Sequence, residues 1–277
     1  MNILVFGANG MLGRYVCSRL SQEHTVKGLT RKDLDVSKVD QTLLPYILKN
    51  TVSGYDAVIN CAGIIKSRAD ISAIEFIIVN SVFPRILADV CKKANIKMFH
   101  ISTDCVYDGF SAVPYVETDH HTAADVYGKT KSLGESEDCC VIRTSIVGEE
   151  VGQTRSLISW AKSKKGQPVM GFTNHWWNGV SCLQLSDFLS LLIKYDLYWS
   201  GVRHVYSPNI VTKCELLEII NSTFDLGLTV VPSKSGDLQP SCNRALDTDN
   251  EEWRQYLQKN IPEIKDQLVK MRDFKLE

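Results

Sequence analysis

The chain has 277 residues, of which 44% are hydrophobic and 23% are charged, and its formal net charge at pH 7 is −1. This composition is typical of a globular protein with one large domain, or with a domain and a smaller lobe. The balanced charge gives no global attraction to nucleic acid or lipid, and no apolar run approaches the roughly 18 residues of a membrane span. We therefore expect neither a nucleic-acid partner nor a membrane partner.

The N-terminal stretch MNILVFGANG lacks the basic segment that opens a signal peptide and is expected to be a strand followed by a glycine turn. The nine cysteines are scattered and include no Cys-x-x-Cys pair. Reduced thiols and a cytoplasmic location are therefore expected. The six histidines form no recognisable ligand pattern, so no metal site is predicted.

Short apolar runs alternate with amphipathic segments in the first half of the chain. Helical spacing follows the first run, and a long helix is predicted at about 73–94. This alternation is typical of βαβ units and predicts an α/β fold with a doubly wound parallel sheet of the Rossmann type. The predicted strands are 2–8, 24–30, 56–63, 97–104 and 139–148.

The second half has a different character, with helices predicted in SLISWAKSKKG, LQLSDFLSLLIKYDL and TKCELLEIINSTF. The last of them has Thr212 as its predicted N-cap, and GVRHVYS is a predicted strand. We expect this half to return to the sheet and also to build a smaller, discontinuous lobe. The predicted dinucleotide-binding core covers 1–147 and about 176–207, and the predicted substrate lobe covers about 148–175 and 208–277.

The segment GANGMLG places Gly7, Gly10 and Gly13 directly after the first strand and at the start of the first helix. Such glycines permit a tight turn and a close backbone approach, and the helix N-terminus offers N–H groups to a pyrophosphate. An ordinary glycine turn is the alternative. After the second strand, LTRKD has cations where many NAD sites have a carboxylate. Arg31 or Lys32 would then meet a 2′-phosphate, so NADPH is favoured over NADH.

Two hydroxyl side chains, Ser102 and Thr103, end the fourth strand in ISTDCVYDG (101–109). Ligands gather at the carboxyl ends of parallel strands, so these hydroxyls are placed to donate to a substrate oxygen. A turn that caps the strand with Asp104 is the alternative interpretation.

The segment VYGKTKSLGE places Tyr127 and Lys131 one helical turn apart, with Glu135 a further turn on. An ammonium beside a phenol is expected to lower the phenol's pKa from about 10, which would make Tyr127 a proton donor. Tyr-x-x-x-Lys is by itself a pattern that chance supplies. Glu135 is expected to be a solvated helix residue.

In their order and spacing, GANGMLG, NCAG, ISTDCVYDG, YGKTK and RTSIVG resemble the extended short-chain dehydrogenases/reductases, most closely the dTDP-4-dehydrorhamnose reductases. The resemblance covers about residues 1–148. It implies NAD(P)H-dependent reduction of the 4-keto group of a nucleotide-activated deoxysugar, for dTDP-L-rhamnose or a related surface polysaccharide sugar. It also implies that Thr103, Tyr127 and Lys131 are catalytic. The superfamily often dimerises, so a homodimer is a further expectation.

The resemblance also assigns binding residues. The cofactor-binding residues it implies are Gly7, Asn9, Gly10, Met11, Leu12, Arg31, Asp35, Val36, Cys61, Ala62, Gly63, Asn80, Tyr127, Lys131 and Thr144, with Arg143 and Ser145 near the nicotinamide. Ser102, Thr103, Asn174, His175 and Trp177 are the substrate-binding candidates. Trp176 or Trp177 would stack on a nucleobase, and a buried aromatic hinge is the alternative.

Some positions depart from the family pattern. Dehydratases of the superfamily carry Thr-Asp-Glu, whereas this chain has Cys105 in the third place, which disfavours elimination of water. Ile146 and Gln239-Pro240 stand where reductases often have an aromatic residue and Arg-Pro, so the particular sugar is open. Two other functions stay open. One is an epimerase or bifunctional epimerase-reductase, and the other is a non-catalytic NADP-binding subunit, against which the Tyr127–Lys131 pair argues.

Overall fold

A computed structural model of the chain describes residues 1–66, 70–150, 152, 154–236 and 241–276. The departure at Gln239-Pro240 lies outside these residues. The strands are β1 Asn2–Phe6, β2 Thr25–Leu29, β3 Ala57–Asn60, β4 Lys97–Thr103, β5 Cys140–Thr144, β6 Ile146–Val147, β7 Pro168–Phe172, β8 His175–Trp177, β9 Val180–Ser181, β10 Gly201–His204, β11 Val211–Thr212, β12 Thr229–Ser233 and β13 Cys242–Asn243. The helices are α1 Met11–Leu20, α2 Leu44–Val52, α3 Ala73–Ile77, α4 Phe83–Lys93, α5 Val126–Gly134, α6 Leu157–Ser163, α7 Cys182–Lys194, α8 Lys213–Phe224, α9 Glu251–Asn260 and α10 Ile264–Asp273.

The central sheet has six parallel strands in the order β10-β5-β4-β3-β1-β2. The chain moves outward from β1 to β2 and then returns to the other side of β1 at β3. This reversal is the topological switch point at which doubly wound sheets bind ligands. The predicted doubly wound fold is therefore confirmed, and its switch point lies between the turns that follow β1 and β3.

The inner strands of this sheet are buried along their whole length, as in β3 and β5. Helices cover both faces, so each of these two strands begins with three apolar residues in a row, without alternation. One hydrophobic cluster includes α1 and α7, and a second includes α2 and α4 on the opposite face. Apolar side chains on both sides thus hold the carboxyl ends of the strands in a fixed arrangement.

The predicted long helix is interrupted by a π-helical turn at Ile78–Val82, between α3 and α4. Its residue Asn80 is buried, and its amide accepts from the Ile64 N–H at 2.8 Å and donates to the Ile64 carbonyl at 3.0 Å. Such π turns often occur at functional sites. Here the turn holds the segment that follows β3 against the sheet.

The second half returns to the sheet through β10, which pairs with β5, and α10 packs on α7 and α8. Thr212 caps α8 in a capping box with Glu215, as the sequence predicts. Smaller sheets pair β7 with β12 and place β8 between β11 and β13. The division into a core and a substrate lobe stays a prediction.

The described residues show neither a membrane span nor a metal-binding cluster. No described helix has the length and hydropathy needed to span a bilayer. The same residues contain no group of three or more His, Cys, Asp or Glu side chains arranged to hold a metal ion.

Candidate active site

The turn after β1 is shaped by glycines. Gly7 has φ +76°, and a Cβ there would lie 2.7 Å from the Ala62 nitrogen. Helix α1 begins after Gly10 with no side-chain cap and no acidic residue in its first turn. Its first N–H groups are therefore available to an anion, and the backbone can approach that anion closely. The cradle fits the pyrophosphate of a dinucleotide.

Replacing Gly13 with Ala is expected to damage this cradle, because the added Cβ would lie 2.1 Å from the Gly7 carbonyl oxygen. We expect a loss of about 1–3 kcal/mol in the free energy of unfolding, as for other overpacked sites. Dinucleotide affinity should fall at least about tenfold, since the turn must move. Thermal denaturation and fluorescence titration measure the two effects. Gly236→Ala is the matched control because its Cβ would meet nothing within 4 Å; equal behaviour of the two variants would contradict the prediction.

A cavity of about 460 Å³ extends from this turn to the end of β2. The nearby carboxylates bond within their own loop: Asp33 accepts from the N–H and hydroxyl of Thr30, both at 2.8 Å. Asp35 likewise accepts from Ser37, and hydrogen bonds there keep its pKa below the ordinary value against the opposing effect of burial. The predicted residues that line this cavity are Gly7, Asn9, Gly10, Arg31, Lys32, Asp35, Val36, Cys61, Ala62 and Gly63.

A second cavity, of about 420 Å³, adjoins the first and shares Gly10, Arg31 and residues 61–63 with it. It reaches the carboxyl ends of β4 and β5 and the first turns of α5. The other predicted residues that line it are Met11, Leu12, Ser102, Thr103, Tyr127, Lys131, Thr144 and Ser145. The structure thus brings the glycine turn and the Thr–Tyr–Lys set into one continuous cleft.

Tyr127 is half-buried where it lines the cleft, and burial raises the pKa of its phenol above the ordinary value, while Thr103 acts in the opposite direction. The expectation that Lys131 lowers this pKa is wrong for this structure. The reason is geometric: the Lys131 ammonium donates to the Ile101 carbonyl at 2.7 Å, so it is held by β4. The phenol therefore keeps its proton at neutral pH.

Lys131 is itself almost fully buried, with 4% of its surface exposed. Burial lowers its pKa to about 8, and the neighbouring charge of Glu135 opposes that change. Lys131 therefore stays an ammonium at neutral pH but loses its proton at a pH only slightly above neutrality. Lys131 is placed to orient a ligand hydroxyl and to carry charge in the same cleft.

Glu135 is not the solvated residue that the sequence suggests, because only 8% of its surface is exposed. It accepts from both Nε and Nη2 of Arg143, at 3.1 and 2.6 Å. Arg143 is correspondingly turned away from the cleft and does not line either cavity. Its expected place near the nicotinamide is therefore wrong. The sequence did contain a signal for this buried pair. Arg143 follows apolar residues in the strand CVIRT, and an arginine is almost never fully buried unless it is paired.

Two other residues that were predicted to contact a ligand hydrogen-bond within the protein. Ser102 lines the cleft, but its hydroxyl donates to Glu135 at 2.5 Å and so is committed to a buried carboxylate. The Asn80 side chain is bonded to Ile64 and lines neither cavity. In this structure both residues act on the shape of the site, and their direct contacts with a ligand stay predictions.

The aromatic stretch around β8 lies apart from the triad. Asn174 and His175 bond to Ser235, and neither lines the cleft. Trp177 is 3% exposed, with the Lys213 ammonium 5.2 Å from its ring centre, which agrees with the buried aromatic alternative. Trp176 is 39% exposed and lines a separate groove of about 670 Å³.

Sequence reasoning missed several charged residues around the cleft. Glu150 and Arg155 line it, and Arg244 donates to the Tyr107 carbonyl at 2.7 Å beside buried Asp104. Burial lowers the pKa of Lys213, which the charge of Asp104 opposes. These residues belong to no motif, and folding alone brings them to β4.

The fold and the continuous cleft define a dinucleotide-dependent oxidoreductase of the short-chain dehydrogenase/reductase class. The chain matches the model of the family described as "RmlD substrate binding domain" over residues 1–271, and it belongs to that family. A dTDP-4-keto-6-deoxy-D-glucose reductase of Streptomyces niveus is 32% identical over 224 residues, which are 77% of this chain and 75% of that protein.

Solved structures show the same fold. A dTDP-4-dehydrorhamnose reductase from Clostridium acetobutylicum has a TM-score of 0.81 and 21% identity, covering 99% of both chains. A dTDP-4-dehydrorhamnose reductase from Bacillus anthracis, in complex with NADP, has a TM-score of 0.80 and 18% identity, covering 98% of both chains.

Proposed function

We propose that this protein uses NADPH to reduce the 4-keto group of a nucleotide-activated 6-deoxy sugar, for dTDP-L-rhamnose or a related deoxysugar. The observation that carries the proposal is the single cleft shared by the glycine turn, Thr103, Tyr127 and Lys131. The printed names of its relatives support it, since they include dTDP-4-keto-6-deoxy-D-glucose reductase and dTDP-4-dehydrorhamnose reductase. The neighbour in complex with NADP supports the choice of dinucleotide.

Each catalytic role follows from the chemistry of the side chain. NADPH, when bound, supplies a hydride to the ketone carbon. Tyr127, whose pKa is raised by burial, keeps its proton until the substrate oxygen gains charge and then donates it. Thr103, which lines the same cleft, holds that oxygen. Lys131 holds the ribose of the dinucleotide and contributes its positive charge.

Reduction is favoured over elimination of water by the residues beside Thr103. Asp104 is buried, and its pKa is raised by burial. Burial also raises the pKa of the Cys105 thiol to about 12, so no second acid–base group with a pKa near neutrality stands in this position. A dehydratase needs such a pair to remove a proton and a hydroxyl group.

The test is NADPH oxidation with a panel of dTDP-, UDP-, GDP- and CDP-linked 4-keto-6-deoxy sugars. Stoichiometric, sugar-dependent consumption of NADPH supports the proposal. Isomerised sugar without net NADPH consumption would instead identify an epimerase. Binding of NADPH without turnover of any ketosugar would identify a non-catalytic subunit.

The choice of dinucleotide is tested by replacing both Arg31 and Lys32 with Ala. These cations line the cavity at the end of β2 and would pair with the 2′-phosphate. We expect KM for NADPH to rise about 10- to 100-fold, which corresponds to about 1.5–3 kcal/mol of lost charge-assisted bonding, with little change for NADH. Lys49→Ala, an exposed cation on α2, is the control. An equal rise for both dinucleotides would contradict a 2′-phosphate contact.

The proposal places the protein in the cytoplasm, in agreement with nine cysteines that are all free. A homodimer is part of the same proposal, and light scattering measures it. A monomer at assay concentrations would contradict that part alone.

A further inference from the structure

A buried polar cluster lies behind the catalytic strand, and the reduction described above does not use it directly. At its centre, the Glu135 carboxylate accepts from Ser102 Oγ at 2.5 Å and from Arg143 Nη2 at 2.6 Å. Arg143 is 1% exposed and also donates to Tyr107 Oη at 2.6 Å and bonds to His204 Nε2 at 3.0 Å. Arg143 Nε is the third donor, at 3.1 Å, so both oxygens of Glu135 are satisfied and the carboxylate is held in one orientation.

Glu135 is also the residue that ends α5, with extended backbone after Gly134. Successive residues of β4 are joined to α5 by their polar groups: the Ile101 carbonyl accepts from Lys131, and the Ser102 hydroxyl donates to Glu135. The next residue, Thr103, lines the cleft together with Tyr127. Glu135 therefore fixes the far end of the helix that carries Tyr127 and Lys131.

The charges that face Lys131 come from three directions. Glu135 and Cys61 act on its charge, and His100 on β4 is held neutral by burial and by the Lys131 cation. Arg143 stands behind Glu135 and is bonded to it. Within the described residues, Glu135 is the carboxylate that most opposes the cost of burying the Lys131 ammonium.

His121 lies beside the pair, with its Nε2 3.7 Å from Glu135 Oε2 and 2.7 Å from Arg143 Nη2, and the other charged groups packed on α5 act elsewhere. Asp104 and Cys105, in the turn after β4, act on Tyr127. Glu75 of α3 completes the cap of its own helix with Ser72, and Arg85 of α4 donates to the Leu133 carbonyl on the outer surface. None of these replaces Glu135 beside Lys131.

We propose that Glu135 is a positioning residue for the reduction: held by Ser102 and Arg143, its carboxylate fixes α5 against β4 and keeps Lys131 an ammonium in its buried site. The proposal rests on the proposed function for its catalytic meaning. Its electrostatic part concerns the protein without substrate and can be measured there.

The first test is Glu135→Gln, which retains the shape of the side chain and removes its charge. We expect the alkaline limb of the kcat profile, near pH 8 in the unchanged protein, to move about one pH unit lower. The sign follows because a Lys131 without its carboxylate loses its proton more readily. KM for NADPH should change less than about twofold, since Glu135 lines neither cavity.

A second readout needs no turnover. The ¹⁵Nζ signal of Lys131, identified by its loss in Lys131→Arg, is titrated by NMR in the ligand-free protein. We expect its midpoint near pH 8 to fall by about the same one unit in Glu135→Gln. A shifted midpoint in a protein that reduces no ketosugar would support the proposal for Glu135 while overturning the proposed function.

Two companion variants separate charge from anchoring. Ser102→Ala keeps the Glu135 charge but removes one bond between β4 and α5, so kcat should fall about threefold to tenfold with the alkaline limb unchanged. The double variant Glu135→Gln/Arg143→Met replaces the whole buried pair and keeps the test available if the single variant does not fold. It should also show the lower midpoint. An unchanged Lys131 midpoint in the folded variants, or unchanged kcat in Ser102→Ala, would overturn the proposal.

Discussion

Replacing Tyr127 with Phe is expected to lower kcat about 10²- to 10⁴-fold, the usual contribution of a positioned general acid. The phenol lies in the cleft beside Thr103 and keeps its proton at neutral pH because burial raises its pKa. Phe retains the ring and loses the hydroxyl group whose proton would go to the substrate oxygen. Steady-state oxidation of NADPH with the best ketosugar measures the effect.

The same variant should bind NADPH with nearly unchanged affinity, because the pyrophosphate cradle is formed by the turn after β1. Fluorescence titration of NADPH and the circular dichroism spectrum establish that the fold and the cofactor site survive. Tyr46→Phe, at a residue that is 71% exposed on α2, is the matched control and should keep full activity. An unchanged kcat in Tyr127→Phe would show that Tyr127 is not the general acid.

Replacing Arg143 with Ala is expected to lower the free energy of unfolding by about 3–5 kcal/mol, as when one partner of a buried ion pair is removed. Arg143 is 1% exposed and Glu135 is 8% exposed, so the carboxylate left behind would be shielded from water. Tyr107 and His204 would also lose a bonding partner. His204 cannot replace the lost charge, because burial, the largest cause of its lowered pKa, remains in the variant and its Nδ1 is bonded to the Asp247 carbonyl.

Urea denaturation at neutral pH measures this loss. Lys93→Ala is the control, since the Lys93–Asp89 pair on α4 is exposed and should leave stability nearly unchanged. The double variant Glu135→Gln/Arg143→Met should recover a large part of the stability, because it leaves no unpaired buried charge. Equal losses in Arg143→Ala and in the double variant would show that packing, and not the uncompensated charge, dominates.

The sequence predicted the architecture because the fold depends on patterns that are local in the chain. Buried parallel strands such as β3 and β5 begin with apolar residues in a row, and a strand–glycine–helix unit opens the chain. The cap at Thr212 and the helix after it were predicted for the same reason. The π turn at Ile78–Val82 was not predicted, and within it Asn80 bonds to Ile64, which is distant in sequence.

The candidate site was predicted where motif residues lie next to each other in the chain. The turn after β1, Thr103 and the first turns of α5 do meet in one cleft. The errors concern side-chain direction and electrostatics. Ser102 lines the cleft but bonds to Glu135, and the pKa of Tyr127 is raised where an adjacent ammonium suggested that it would be lowered.

The sequence by itself determined the doubly wound sheet, the glycine cradle and the Tyr127–Lys131 spacing, since strand, turn and helix patterns act over a few residues. Only the tertiary structure decided what Glu135 does. Its spacing from Lys131 is the same for a solvated residue as for a buried one, and the difference comes from Arg143 on β5, which meets it across the fold. Burial depends on how segments pack against each other. The pKa of Lys131 and the partner of each charged side chain are therefore decided only once the chain has folded.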